Sequence, residues 1–298
     1  MGQHSPVTVT RSQEVWISLF AGAMAGALAK TSIAPLDRTK IIFQISNTPY
    51  TAKGAWIFMR NTYIKEGFFS LWRGNSATMA RIVPYAAIQF TSHEQWKNLF
   101  GVDKDDGKKS SPALRFLAGS LAGVTSQSLT YPLDLARARM AVTHKHQYRS
   151  LKEVFVKITR DEGITSFYRG YVATILGVIP YAGTSFFTYG TLKNWFTEKN
   201  LLPNPIMNLL CGGIAGMVGQ STSYPLDIIR RRMQTSAVKG TDEHYKTITS
   251  TVISIYREEG FRVGFFKGLS MNWIKGPIAV GISFATYDFT RDTLRLLV

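Results

Sequence analysis

The chain has several apolar stretches, and each is interrupted near or below the length of a simple membrane span. The best one covers residues 15–29 and stops at Lys30, and similar stretches lie at 116–130, 171–189, 206–222 and 273–287. A helix that crosses the hydrocarbon core of a bilayer needs roughly 20 predominantly apolar residues. Length and apolar content therefore leave the membrane question open, as does the mean hydropathy of -0.02.

An internal repeat changes this picture. The tripeptide Pro-Leu-Asp occurs at residues 35–37, 132–134 and 225–227, and a basic residue follows each proline by five positions: Lys40, Arg137 and Arg230. Two glycines precede each proline in the same register, at 22 and 26, 119 and 123, and 212 and 216. Self-similarity in a constant register indicates that one structural unit is repeated along the chain.

The second half of each unit repeats as well. Glu-Gly at 66–67, 162–163 and 259–260 is followed by an aromatic residue, a basic residue and glycine at 72–74, 168–170 and 266–268. Each unit is predicted to form a long helix, a short amphipathic helix and a second long helix, over residues 13–105, 111–199 and 205–298. We expect the prolines to bend their helices and the paired glycines to let helices pack closely.

These motifs, three times in register, closely resemble the signature of the mitochondrial carrier family. The resemblance implies an all-α membrane protein with six transmembrane helices in three tandem two-helix repeats, related by pseudo-threefold symmetry, with short helices on the matrix side. It also implies a transporter of the mitochondrial inner membrane rather than an enzyme, functional as a monomer and in contact with lipid such as cardiolipin. Residues 34–44, 73–79 and 268–273 resemble carriers that exchange coenzyme A for adenine nucleotides (ADP, AMP or adenosine 3',5'-diphosphate) by alternating access.

Acidic and basic residues three positions apart lie on one helix face and define a candidate matrix gate. Pairing could occur within each helix; the resemblance instead implies pairing between helices, Asp37 with Arg137, Asp134 with Arg230 and Asp227 with Lys40. It also implies that glutamines brace the pairs. Gln44 and Gln234 occupy two of the three bracing positions, and Ala141 occupies the third.

A second set of charges near the ends of the other long helices defines a candidate cytoplasmic gate. The acids Glu94 and Asp288 are followed three positions later by bases, but the third acidic position is Gly190; the bases are Lys97, Lys193 and Arg291. Two acids facing three bases predict a thinner gate on this side. The alternative is that these are interfacial charges.

The candidate substrate site consists of cations and a small-residue pair. Lys30, Arg81 and Lys275 lie inside predicted long helices that otherwise suit a membrane. A charge at mid-membrane costs about 2.5–3.5 kcal/mol on insertion scales, so we expect the three cations to face a wet cavity. By the resemblance, Gly177 and Val178 leave a flat slot for a purine while the cations hold phosphates. Helix packing is the alternative for Gly177. Arg231 is a further candidate cation, which could instead extend to the matrix surface.

The net charge of +16 predicts an anionic partner. No nucleic-acid-binding module is recognisable, the single cysteine excludes a cysteine-cluster metal site, and no histidine belongs to a catalytic motif, so neither cofactor nor metal is expected. Within the family that this chain resembles, ADP/ATP carriers have three arginines followed by three methionines. In this chain Arg230-Arg231-Arg232 is followed by Met233-Gln234-Thr235, which argues against an ADP/ATP carrier proper. The alternative function is that of another adenine-nucleotide or nucleotide-cofactor carrier, for example of the ADP/ATP type or the ATP-magnesium/phosphate type.

Overall fold

The computed structural model describes residues 11–102, 112–144, 147–199, 205–241 and 244–297, and within these ranges the chain is helical with no strands. The long helices are α1 (Arg11–Ile45), α3 (Asn75–Leu99), α4 (Pro112–Val142), α6 (Tyr171–Glu198), α7 (Pro205–Lys239) and α10 (Leu269–Leu297). The short helices are α2 (Ala52–Glu66), α5 (Leu151–Asp161), α8 (Ile248–Glu259) and α9 (Phe261–Phe266). The predicted repeat boundaries at 105, 111 and 298 lie outside the described residues.

The short helices begin and end at capping residues. Thr51, Ser150 and Thr247 each accept a hydrogen bond from the backbone N–H three residues on, which satisfies a donor at the helix start. Gly67 and Gly260, with φ of 86° and 75°, end α2 and α8. A glycine at positive φ also precedes each following long helix, because other residues adopt this backbone conformation only with strain.

The third repeat differs between its short helix and its second long helix. In the first two repeats a 3-10 turn fills this segment (Phe68–Trp72 and Ile164–Tyr168), whereas the third has the α-helix α9. The third repeat has one more residue between the glycine of its Glu-Gly pair and the glycine before its second long helix (Gly260 and Gly268) than the other two repeats have. An α-helix needs more residues per turn than a 3-10 helix, so the extra residue is absorbed without changing the architecture.

The six long helices pack mainly across repeat boundaries. The most extensive contacts join α3 with α4, α6 with α7, and α10 with α1, which closes the helices into a ring. Every long helix continues through an internal proline, at positions 35, 84, 132, 180, 225 and 277. The three repeats therefore form one bundle around a central axis.

The prediction that the paired glycines pack closely is wrong for this conformation. A Cβ atom added at Gly26, Gly123 or Gly216 would meet no atom within 4 Å, whereas one at Gly74 would lie 2.9 Å from the carbonyl oxygen of Arg137. Backbones thus approach each other at the end of the bundle that contains the Pro-Leu-Asp motifs. At the other end, five of the six paired glycines face open space, and an added Cβ at the sixth, Gly119, would lie 3.9 Å from the ring of His93.

The distribution of polarity is that of a membrane protein. Charged and amide side chains, among them Arg139, Arg232 and Gln234, are fully buried, while large apolar side chains such as Trp16 and Phe187 are exposed. By length and apolar content, two stretches of the described chain qualify as spans, Gln13–Ile45 and Ile164–Glu198. The other long helices carry the polar residues that line the interior, which lowers their hydropathy.

Candidate functional site: a cavity closed at one end by ion pairs

Three ion pairs join the long helices close to the repeated Pro-Leu-Asp prolines. Arg137 Nη2 lies 2.5 Å from Asp37 Oδ2, Lys40 Nζ lies 3.1 Å from Asp227 Oδ2, and Arg230 donates to Asp134. Each pair links two different repeats, as the resemblance implied. Of the alternative intrahelical pairs, the structure has Arg230 with Asp227 at 3.9 Å, a looser contact.

Two of the gate acids also form an ion pair with a cation that the sequence predicts to bind substrate. Arg81 Nη1 lies 3.5 Å from Asp134 Oδ1, and Lys275 Nζ lies 2.6 Å from Asp37 Oδ1. The side chain of Arg231 is 11% exposed and bonds to Asp134 at 3.5 Å and to Gln234 at 2.8 Å, so the alternative that it extends to the matrix surface is wrong. Lys30 is exposed and has no acidic group within ion-pair distance among the described residues.

The two predicted glutamines brace the pairs in different ways. Gln234 donates to Asp134 Oδ2 at 2.9 Å and to the hydroxyl of Tyr131 at 3.0 Å. Gln44 does not reach an acid; it donates to the hydroxyl of Tyr224, whose ring centroid lies 5.0 Å from Lys40 Nζ. The sequence reasoning missed both tyrosines, although each directly precedes a motif proline and Ala34 replaces it in the first repeat.

A second ring of buried arginines was also missed. Arg139 and Arg232 donate to Glu162 and Glu259, and their Nε atoms donate to backbone carbonyls of the next repeat. In the first repeat the equivalent position is occupied by Ile42, which has no charge. Arg38, one helical turn earlier, makes the corresponding contacts instead. It donates to Glu66 at 3.3 Å and to the carbonyl of Ala141 at 3.0 Å. The Glu-Gly motifs were the available signal, because each glutamate requires a buried cation.

Outside the membrane helices, the basic residues of the aromatic–basic–glycine motifs also tie repeats together. Arg73 donates to the carbonyls of Met140 and Tyr148 at 3.2 and 3.1 Å. Lys267 donates to the carbonyl of Ser46 at 2.6 Å and to Glu259. Burial lowers the pKa of Lys267, and the hydrogen bond to Glu259 opposes this shift.

At the opposite end of the bundle, the two acids of the predicted cytoplasmic gate pair with bases of their own helices. Lys97 lies 3.5 Å from Glu94, and Arg291 lies 3.5 Å from Asp288, each pair within one helix. Within the described part of the chain, Lys193 has no acidic partner, and a side chain at Gly190 would meet open space. The predicted cytoplasmic gate is therefore not assembled in this conformation.

A cavity of about 690 Å³ lies between α3, α4, α6 and α7. Gly177 and Val178 line its wall, and Asp227 and Arg230 lie at its closed end. A Cβ atom at Gly177 would lie 3.6 Å from Leu226 Cβ, an ordinary contact, so packing alone does not require glycine there. Tyr85, Gln89, Arg115 and Gln127 also line the cavity, and the sequence reasoning had not selected them.

Comparison with known proteins identifies relatives over nearly the whole chain. A family model described as mitochondrial carrier protein matches residues 11–104, 108–200 and 203–296. The mitochondrial coenzyme A transporter SLC25A42 of Danio rerio is 56% identical over 96% of this chain and 89% of its own length. The Homo sapiens protein of the same name is 55% identical over 96% of this chain and 90% of its own length, and human solute carrier family 25 member 16 is 40% identical over 94% and 89%.

Proposed function

Because the chain belongs to the mitochondrial carrier family, and is thus a multi-pass transporter of the mitochondrial inner membrane rather than an enzyme, we propose that it exchanges coenzyme A for adenine nucleotides by alternating access. The counter-substrates are ADP, AMP or adenosine 3',5'-diphosphate. The observation that carries the proposal is the cavity that ends at Asp227 and Arg230 of the matrix gate and has Gly177 and Val178 in its wall. The names of the relatives at 55–56% identity support the same substrate.

Coenzyme A combines a purine with several phosphates, and the site offers a complement to each. Gly177 presents no side chain and Val178 an apolar one, which suits the face of a purine ring. Arg81 can form two hydrogen bonds to one phosphate, while Lys275 and Lys30 act as point charges. All three cations lie in the half of the bundle next to the matrix ion pairs.

The ion pairs suggest how binding is coupled to opening. Asp134 and Asp37 hold Arg81 and Lys275 in the structure. A phosphate that binds these two cations competes with the two gate acids for them. Each acid then loses one of its partners, which weakens the matrix gate while substrate occupies the site. A ligand shifts a conformational equilibrium only through such a difference in contacts between states.

The cytoplasmic gate forms, in this proposal, when the matrix gate opens. Glu94 and Asp288 then leave their intrahelical partners and pair across helices with Lys193 and Lys97. Arg291 faces Gly190, which has no carboxylate, so at most two ion pairs between helices close the cytoplasmic side. Because exposed ion pairs each contribute only about 0–1 kcal/mol, the cytoplasmic gate is the weaker of the two.

An ADP/ATP-type carrier is the alternative, and the arginine run provides a comparison. Arg230 lines the closed end of the cavity, but Arg231 bonds to Gln234 and Arg232 bonds to Glu259 and the carbonyl of Gln44. Two of the three arginines are thus occupied in structural contacts. This arrangement favours the coenzyme A proposal over a site built on the complete run.

Lipid contacts belong to the proposal as well. The starts of α3, α6 and α10 follow Gly74, Gly170 and Gly268, and helix N-termini bind phosphate through backbone N–H groups. Arg73 and Lys267 bond within the protein, so these backbone groups would carry most of the binding of a cardiolipin phosphate. The closed ring of helices is consistent with a functional monomer.

Reconstitution tests the proposal directly. The purified protein is incorporated into liposomes loaded with adenosine 3',5'-diphosphate, and uptake of labelled coenzyme A is measured against unloaded liposomes. We expect uptake only in the loaded liposomes. Absence of counter-exchange with both coenzyme A and adenine nucleotides, in protein that remains folded, would refute the assignment. Exchange of nucleotides alone would favour the alternative.

A further inference from the structure

Two glutamine side chains in the cavity wall have amide atoms without hydrogen-bond partners. Gln89 Oε1 and Gln127 Nε2 are buried, and the described residues provide no partner for either. Both residues line the cavity that contains Gly177 and Val178. A buried polar atom without a partner is destabilising. In a side chain that lines a substrate cavity, it points to a ligand that supplies the missing bond after the side chain changes rotamer.

The contacts of Gln127 determine which way its amide points. Arg81 Nη2 donates to Gln127 Oε1 at 2.6 Å. The amide oxygen is therefore occupied, and the unpaired NH₂ group is directed away from Arg81. Gln89 has no hydrogen-bond partner for its amide group among the described residues, and its buried amide atom is the acceptor Oε1. Together the two side chains offer one donor and one acceptor, which is the complement of secondary amides.

The positions of the two glutamines define a path away from the phosphate-binding cations. Gln127 lies directly beside Arg81, whereas Gln89 lies eight residues beyond Arg81 on α3, a rise of about 12 Å. Arg115 and Phe116, near the start of α4, line the cavity at its far end. A chain attached to a phosphate at Arg81 passes Gln127 first and Gln89 later as it extends toward this end.

The wall between the two glutamines is apolar and contains small residues. Gly119 and Gly123 of α4 line it, and a Cβ atom at Gly123 would meet no atom within 4 Å. Val124, Tyr181 and Phe186 complete this part of the lining. Such a surface suits methylene and methyl groups placed between polar anchor points.

We propose that Gln89 and Gln127 bind the pantetheine arm of coenzyme A through its two amide groups. The arm has two secondary amides joined by two methylenes and carries a geminal dimethyl group next to its phosphate end. Gln127 donates to an amide carbonyl near the phosphates, and Gln89 accepts from an amide N–H further along. The inference rests on the proposed function, since adenine nucleotides have no such arm. It assigns to these residues the distinction between coenzyme A and nucleotides.

The test compares substrates that differ in the arm. Gln89→Met removes the acceptor while retaining a side chain of similar length, and Gln95→Met is the matched control because Gln95 is an exposed glutamine on the same helix. Proteoliposomes containing each variant are assayed for initial uptake of coenzyme A, dephospho-coenzyme A and adenosine 3',5'-diphosphate. Since one hydrogen bond to a neutral group changes binding by about fivefold to tenfold, we expect Gln89→Met to lower uptake of both arm-bearing substrates by that factor. Uptake of adenosine 3',5'-diphosphate stays within about twofold of wild type.

A binding measurement complements transport. The thermal shift that each substrate produces in detergent-solubilised protein is compared between Gln89→Met, Gln127→Met and Gln95→Met. Selective loss of the shift with coenzyme A supports the inference, even where a variant reconstitutes poorly. An equal loss with all three substrates, or no loss with any, overturns it. If wild-type protein transports nucleotides but not coenzyme A, both the proposed function and this inference fail; if only the selective effect is missing, the proposed function stands.

Discussion

The two ends of the helix bundle carry charged residues in the same local pattern and use them differently. At the matrix end, Asp37, Asp134 and Asp227 pair with bases on other helices. At the opposite end, Glu94 and Asp288 pair with bases three positions later on their own helices. An acid three residues before a base is therefore compatible with either arrangement. The distance between helices decides which one forms.

Burial separates the two ends as clearly as pairing does. The side chain of Asp134 is 2% exposed and that of Asp288 is 59% exposed. A buried charge without its partner is strongly destabilising, whereas an exposed pair contributes little. The ion pairs at the matrix end are thus required for the stability of this conformation. The exposed ion pairs at the other end can exchange partners at little cost.

The largest contrast is expected for removal of one arginine at each end. Arg139→Met leaves Glu162 without the cation that it bonds, and loss of one partner of a buried pair costs about 3–5 kcal/mol. Arg291→Met, the matched change at the exposed end, should cost less than about 1 kcal/mol. Thermal unfolding in detergent measures both. Equal losses of stability would contradict the comparison.

Arg81 provides the largest expected effect on transport. In Arg81→Ala, Asp134 keeps Arg230 and Arg231, so the protein should remain folded. Loss of a bidentate phosphate contact should reduce coenzyme A uptake about 100-fold, a free-energy difference of about 2.7 kcal/mol. Lys152→Ala, at an exposed site on α5, is the control. Normal uptake by Arg81→Ala would remove this residue from the substrate site.

An exchange of charges sharpens the assignment of the matrix gate. Lys40→Asp and Asp227→Lys should each impair stability, and the double variant should recover part of it because the pair is restored in reverse. Lys40 is buried and Asp227 half-buried, so the coupling between these contacting charges should reach about 1–3 kcal/mol. The same cycle at Glu94 and Lys97 should give less than about 0.5 kcal/mol. Thermal unfolding of the four proteins of each cycle gives both coupling energies. Independent effects at Lys40 and Asp227 would argue against a functional pair.

Glycine-to-alanine changes at the two ends should have opposite signs. At Gly74, φ is 89° and the new Cβ would lie 2.9 Å from a carbonyl oxygen, so the left-handed backbone alone costs about 1–2 kcal/mol. At Gly26 the Cβ meets open space, and alanine should stabilise this conformation by about 0.5–1 kcal/mol. Melting temperatures report both changes. Destabilisation by Gly26→Ala would show that this end is already closely packed.

The smallest effect is expected from completing the cytoplasmic gate. Gly190→Asp supplies the missing third acid, and the site has room for its side chain. One additional exposed ion pair on closure is worth about 0.5–1 kcal/mol, which shifts the conformational equilibrium by roughly twofold to fivefold. Reactivity of a cysteine introduced at position 30 should fall accordingly when labelled from the cytoplasmic side. Gly190→Asn, which adds no charge, should leave the reactivity unchanged.

Much of the fold follows from sequence because the motifs repeat in register. The prolines, the Glu-Gly pairs and the capping residues mark where helices bend, end and begin, and these local rules act within a few residues. Prediction failed where the outcome depends on distances across the bundle. The paired glycines have the spacing of a packing motif, yet in this conformation they lie where the helices are apart.

The sequence by itself determined the triplicated helical unit, the family and the residues that can carry charge, since these depend on residue type and spacing along one chain. Only the tertiary structure decided that Arg38 takes the place of an arginine one turn later and that Tyr131 and Tyr224 complete the braces. It also decided that two glutamines with unpaired amide atoms, Gln89 and Gln127, line the cavity. The physical reason is that a hydrogen bond or ion pair requires its partners within a few ångströms. Spacing along a helix defines the face on which a side chain lies, but the packing of other helices supplies the partner.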